Sequence, residues 1–253
     1  PTRRSSDLAT AVSGPTGTYT VTVPSTATIP QGTNQFNIAT VGPTGLVSDL
    51  SQTFSITYDS NAPSAPTGLA LVAATDTGGS NSDQITNAAS LQFSVTCETG
   101  ASVQLRDGTT NLGSPVTCSG GTATITTTAL TATGQTGTTY PNINVIQTDA
   151  ADNQSTASAN LSVRVDNTAP GLTSSNLSAG NLYVELVLNE AAYGSIANLT
   201  TALSAASFNI STTGGTATAS INCVTSAASS VCPGVAPAAG ATTVRVQRSE
   251  ERR

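Results

Sequence analysis

Residues 54–63 read Phe-Ser-Ile-Thr-Tyr-Asp-Ser-Asn-Ala-Pro, and residues 161–170 read Leu-Ser-Val-Arg-Val-Asp-Asn-Thr-Ala-Pro. In both, apolar side chains occupy every second position, as Phe54/Ile56/Tyr58 and Leu161/Val163/Val165, before an Asp and then a Pro. A strand points successive side chains to opposite faces, so each stretch reads as a strand with one buried face. Asp59 and Asp166 are 166 − 59 = 107 residues apart. The same offset holds upstream without a gap, with Phe36 and Ile38 falling on Ile143 and Val145. A period of that length closing in a Pro-containing linker is the size of one sandwich domain per repeat.

Outward from these anchors, the unit over residues 63–168 is complete. Its candidate strands are Leu69/Leu71, Leu91/Phe93/Val95/Cys97, Val103/Leu105, Val116/Cys118, Ala123/Ile125, Ile143/Val145 and Ala159/Leu161/Val163/Val165. Turn residues such as Asp107-Gly108 and Gly120-Gly121 separate them. Seven short strands without a helical period between them predict an all-β, antiparallel sandwich. Residues 9–62 hold only the closing strands of an earlier copy, whose sheets would be left with exposed edges. Residues 169–247 begin a third unit of another pattern, cut at its C-terminal side. There Leu182/Val184/Leu186/Leu188 is a strand, Gly214-Gly215 turns a hairpin into Ala217/Ala219/Ile221/Cys223, and Leu199 and Leu203 mark a helical turn between Ile196 and Phe208.

Composition fits that reading. Apolar residues make up 37% and charged residues 9%, against about 25% charged in ordinary soluble proteins. Thr, Ser, Ala, Asn and Gly fill the gap, and Thr suits a pleated, half-wet surface. The chain has no His, Trp, Met or Lys. Without His, neither a Ser-His-Asp nor a Cys-His arrangement can be assembled, and imidazole ligation of a metal is excluded. A net charge of −6 offers no basic face for nucleic acid. No apolar run approaches the roughly 20 residues of a membrane span.

The two ends differ from the neutral chain between them. Residues 1–8 and 248–253 carry five of the eight Arg. The DNA string cgacgctcttccgatct translates as Arg-Arg-Ser-Ser-Asp-Leu once its last codon is completed, and its complement reads Arg-Ser-Glu-Glu-Arg-Arg in the same way. Both ends therefore resemble a translated short-read sequencing adapter and are set aside as one would a fusion scar. Between them stand three Arg against eleven acids, 3 − 11 = −8.

The middle unit carries, in order, Ile85-Thr86-Asn87, Cys97-Glu98-Thr99-Gly100-Ala101-Ser102-Val103, Asp107-Gly108, Leu112-Gly113, Asp149-Ala150-Ala151-Asp152-Asn153 and Asp166-Asn167-Thr168-Ala169-Pro170. That ordered set resembles the bacterial Ig-like repeats of large surface adhesins. Asp152 stands where that family usually has Gly, and Ala123 where an aromatic is common. The third unit, through Leu188-Asn189-Glu190-Ala191-Ala192 and Ser204-Ala205-Ala206-Ser207-Phe208, resembles another Ig-like class of secreted and S-layer-type proteins. Both resemblances imply tandem immunoglobulin-like β-sandwiches in an extracellular or cell-surface rod. Its immediate partners would be neighbouring Ig-like domains of the same chain, with a host or matrix surface contacted through domains elsewhere.

In a secreted fragment the local pairing Cys97–Cys118 and Cys223–Cys232 is the expected one of three connectivities. Buried free thiols acting as small hydrophobes are the alternative. Asp149, Asp152 and Asn153, at the loop joining the last two strands, and Asp166 at the linker offer hard oxygen ligands that suit calcium. Asp and Asn there to make the turn are the alternative. Glu185 and Glu190 could pair as glycosidase acid and base, but a strand parity facing solvent and a turn position make solvated roles the expectation. The function expected is a non-catalytic spacer in an adhesion-related surface protein. The alternative is an accessory, carbohydrate-binding module of a secreted hydrolase, a role that calls for aromatic stacking; Tyr19, Tyr58, Tyr140, Tyr183 and Tyr193 are scattered over three units.

Overall fold

The computed structural model describes residues 21–23, 27–134, 137–180, 182–193, 201–209 and 220–248. The Gly214-Gly215 hairpin, Leu199, Tyr19 and residues 1–8 and 249–253 lie outside them. Compact packing divides the chain into two units, Pro1–Ala62 with Ala151–Asn153, and the remainder.

In the first unit, β1 (Gly32–Phe36) and β2 (Phe54–Tyr58) form an antiparallel ribbon. Its apolar side chains are half open to solvent, with Phe54 43%, Ile56 51% and Tyr58 42% exposed. Phe36 and Phe54 pair directly, their ring centroids 5.8 Å apart.

The middle of the chain is a two-layer sandwich. One layer is β3 (Thr67–Leu71), β5 (Leu91–Thr96) and β9 (Thr122–Thr127) in the order β3-β5-β9. The other is built from β4 (Ile85–Thr86), β6 (Ser102–Asp107), β7 (Thr110–Asn111), β8 (Val116–Thr117), β10 (Thr138–Thr148) and β11 (Leu161–Val165). Its order is β4-β11-β10-β6-β7, with β8 also on β6. Every pairing is antiparallel except β4 on β11, which is parallel through Arg164↔Ile85 and Val165↔Thr86. The alternation expected from sequence sets the core: Leu91, Phe93 and Val95 face Val103, Leu105, Ile143, Val145 and Val163, each at most 2% exposed. β4 and β7 are two residues long, too short for a period-two pattern to mark them.

The inner strand β10 is buried on both faces over Ile143–Gln147, including Asn144 and Gln147. Its second edge beyond β11 is closed by side chains. The Val145 N–H donates to Ser158 Oγ (3.0 Å) and the Gln147 N–H to Ser155 Oγ (3.0 Å). The Ser155 and Ser158 N–H groups return bonds to the Gln147 and Val145 carbonyls. A buried N–H must find an acceptor, and here a hydroxyl stands in for a ladder carbonyl. The first unit repeats this at the same offset of 107. The Ile38 and Thr40 N–H groups donate to Ser51 and Ser48 Oγ (both 2.9 Å), and the return bonds run to the same two carbonyls. The pairing Phe36↔Phe54 likewise stands 107 residues before Ile143↔Leu161. The ladders differ only beyond that point, where β10 bulges between Tyr140 and Ile143, a stretch containing Pro141, which has no N–H to offer.

Past the linker, β12 (Leu172–Leu177), β13 (Tyr183–Ala192), β14 (Ile221–Ser226) and β15 (Ala241–Arg248) form a four-stranded antiparallel sheet in the order β12-β13-β15-β14. Its small core is Ala192, Leu203, Val224 and Val244. Within the stretch expected to hold a helical turn, Ala205–Ser207 is a single 3-10 turn.

Candidate functional site

The cysteines come from the ends of strands. Cys97 follows β5 on its inward parity and Cys118 follows β8, so their disulfide ties the two layers at one end of the sandwich, Cα–Cα 6.0 Å. The turn between them is held by the main chain: the Gly100 N–H donates to the Cys118 carbonyl and the Cys118 N–H to the Ala101 carbonyl. Cys223 in β14 is bonded to Cys232, Cα–Cα 6.2 Å. No described cysteine is free.

The four oxygen-bearing residues considered for calcium do not come together. Asp149, Asp152 and Asn153 share the turn that follows β10 at Thr148. Asp166 follows β11 at the opposite end of β10, because Val165 pairs with Thr138. β10 has 11 residues, so the two positions are separated by roughly 30 Å at the rise of a strand. At its own pole Asp166 is committed to Arg164, Oδ2 to Nη2 2.8 Å, and lies so close to Gly137 that a Cβ there would stand 2.7 Å from the Asp166 Cβ. At the other pole Asn153 Nδ2 donates to the Asp59 carbonyl (3.2 Å), and Asp152 holds φ at +65°. Among the described residues no group of three or more His, Cys, Asp and Glu side chains could hold a metal ion.

The two candidate acid–base carboxylates have other partners. Glu185 lies directly opposite Arg245 in the β13–β15 ladder and is ion-paired with it, Oε2 to Nε 3.0 Å. The guanidinium also sits 4.4 Å from the centroid of the Tyr183 ring. The expectation of a merely solvated Glu185 is thereby corrected: cross-strand register brings opposite charges face to face. Glu190 was expected in a turn and lies within β13 instead. Its Oε1 is covered and lacks a hydrogen-bond partner. Burial, then the nearby Asp166, push its carboxyl above the ordinary glutamate value, against the opposing pull of Arg164. Among the tyrosines, Tyr140 is engaged by the Thr131 main chain, and Tyr58, assigned a core parity, is 42% exposed.

The residues that sequence reasoning passed over are the serines that close β10. The signal was present: Ser48/Ser51 and Ser155/Ser158 stand at the repeat offset. It is faint because Ser is abundant throughout the chain. Asp76 was also passed over. It is 2% exposed, directly after β3.

A Greek-key sandwich with a short first-edge strand parallel to the last strand, tied across its layers by a disulfide, defines an immunoglobulin-like β-sandwich. Residues 62–167 match the family model of the bacterial Ig-like domain, and this part of the chain is a domain of that kind. A search of curated proteins returns no match. No helix among the described residues is long and apolar enough to cross a membrane.

Proposed function

We propose that the chain is a spacer segment of a multi-domain bacterial surface or secreted protein with a role in adhesion. In this reading Ig-like units repeat at about one domain length and hold more distal parts away from the cell. The observation that carries it is the serine closure of β10, reproduced hydroxyl for hydroxyl and carbonyl for carbonyl at an offset of 107 residues. Chance similarity of Ser-rich sequence does not reproduce a hydrogen-bond pattern. Residues 9–62 are then the closing half of one unit, 63–168 a whole one and 169–247 the opening of a third. Bacterial Ig-like domains are in general non-catalytic modules, and the disulfides suit an oxidising, extracellular setting.

Single-molecule extension of residues 9–247 between surface handles tests this. A spacer gives a discrete force peak for the middle domain and no retention on a glycan array. Smooth extension without a peak would sink the mechanical reading, and specific glycan retention would favour the accessory-module alternative.

A further inference from the structure

The loop between β3 and β4 holds a buried carboxylate that no side chain neutralises. Asp76 is 2% exposed; its Oδ2 accepts from the Gln84 N–H (3.1 Å), while its Oδ1 is covered and has no hydrogen-bond partner. Asp83, at the far end of the same loop, accepts from the next amide, Ile85 N–H, through Oδ1 (3.0 Å). Two carboxylates thus cap consecutive amides of one returning strand, close enough for Asp83 to disfavour ionisation of Asp76. The ion pairs among the described residues are Arg164–Asp166 and Arg245–Glu185, and neither reaches this loop. A buried carboxylate without a counter-charge is costly. Between the two acids the chain reads Thr77-Gly78-Gly79-Ser80-Asn81-Ser82, rich in neutral oxygens and free of basic groups. Hard oxygens in an irregular, flexible set are the donor type that calcium accepts and that magnesium, which demands a near-ideal octahedron, does not.

We propose that the loop over residues 76–84 binds a divalent cation of the calcium type. Asp76 Oδ1 and Asp83 supply the negative charge, and neutral oxygens of the loop supply the remaining ligands. Two carboxylates make it a weak site, of the affinity class of extracellular modules, Kd roughly 0.1–1 mM. The test is thermal unfolding and calorimetric titration of the whole chain after chelator treatment, with calcium chloride or magnesium chloride as the added probe. Calcium at about 10 mM should raise Tm by a few degrees and magnesium by clearly less. Asp76→Asn, which keeps an acceptor for the Gln84 N–H, and Asp83→Asn should each abolish the rise. Asp152→Asn, in the turn after β10, should leave it intact. No calcium effect on the wild type, an equal effect of magnesium, or loss of the effect in Asp152→Asn alone would each overturn the proposal.

Discussion

Asp152 occupies the left-handed region at φ +65°, where the resembled family has Gly and where most side chains crowd the following carbonyl. Asp tolerates that region better than most residues, so the turn survives the exchange. Asp152→Gly is expected to leave stability within about 0.5 kcal/mol, whereas Asp152→Val should cost about 1–2 kcal/mol, both read from urea unfolding midpoints. Asp76 presents a different strain. Burial, and secondarily Asp83, hold its carboxyl above the ordinary aspartate value despite the Gln84 N–H. Its contribution to stability is therefore fully present below the unfolded-state value and is lost as pH rises through the folded-state value. In chelator-treated protein, stability should fall over that window, and Asp76→Asn should flatten the fall; an unchanged pH profile would contradict this account. Neither residue was legible as special in the sequence. The Asp152 departure was visible, but its backbone angle was not. Asp76 sits among polar loop residues, and only the folded chain buries it.

At the scale of elements, strands with one buried face were legible because alternation survives in sequence: Leu91/Phe93/Val95 and Ala123/Ile125 lie where their parity placed them. β4 and β7 were not, since two residues carry no period. The calcium reading drew on Asp149 and Asp166 as neighbours because both flank the last strand, and β10–β11 register separates them instead. Linear proximity says little about which end of a hairpin a residue occupies. The serine closure was legible only in retrospect, yet it is testable. Removing a hydroxyl leaves a buried N–H unpaired, so Ser155→Ala and Ser158→Ala should each cost about 1–3 kcal/mol. Hydrogen exchange should then quicken at the Gln147 amide in the first variant and at the Val145 amide in the second. Unchanged protection at both would show that the hydroxyls are dispensable.

For the molecule as a whole, the Cys97–Cys118 bond closes a loop of 21 residues, and its reduction should cost about 3 kcal/mol, measured as a shift in the unfolding midpoint. It also shields that loop from extension. Reduction should therefore lengthen the contour gained on forced unfolding of the middle domain by roughly 70 Å, at about 3.5 Å per residue. The way tension enters that domain follows from the short parallel pairing of β4 with β11. The chain arrives at Pro63 and departs after Asp166. A pull on the two linkers draws β11 along its own length, past a partner running in the same direction. The Arg164 N–H to Gln84 carbonyl and Asp166 N–H to Thr86 carbonyl bonds, both 2.8 Å, are then loaded side by side in shear and share the force. A hairpin peeled from one end surrenders its bonds one after another. Resistance to stretching thus resides in a two-residue edge strand that contributes little to the hydrophobic core.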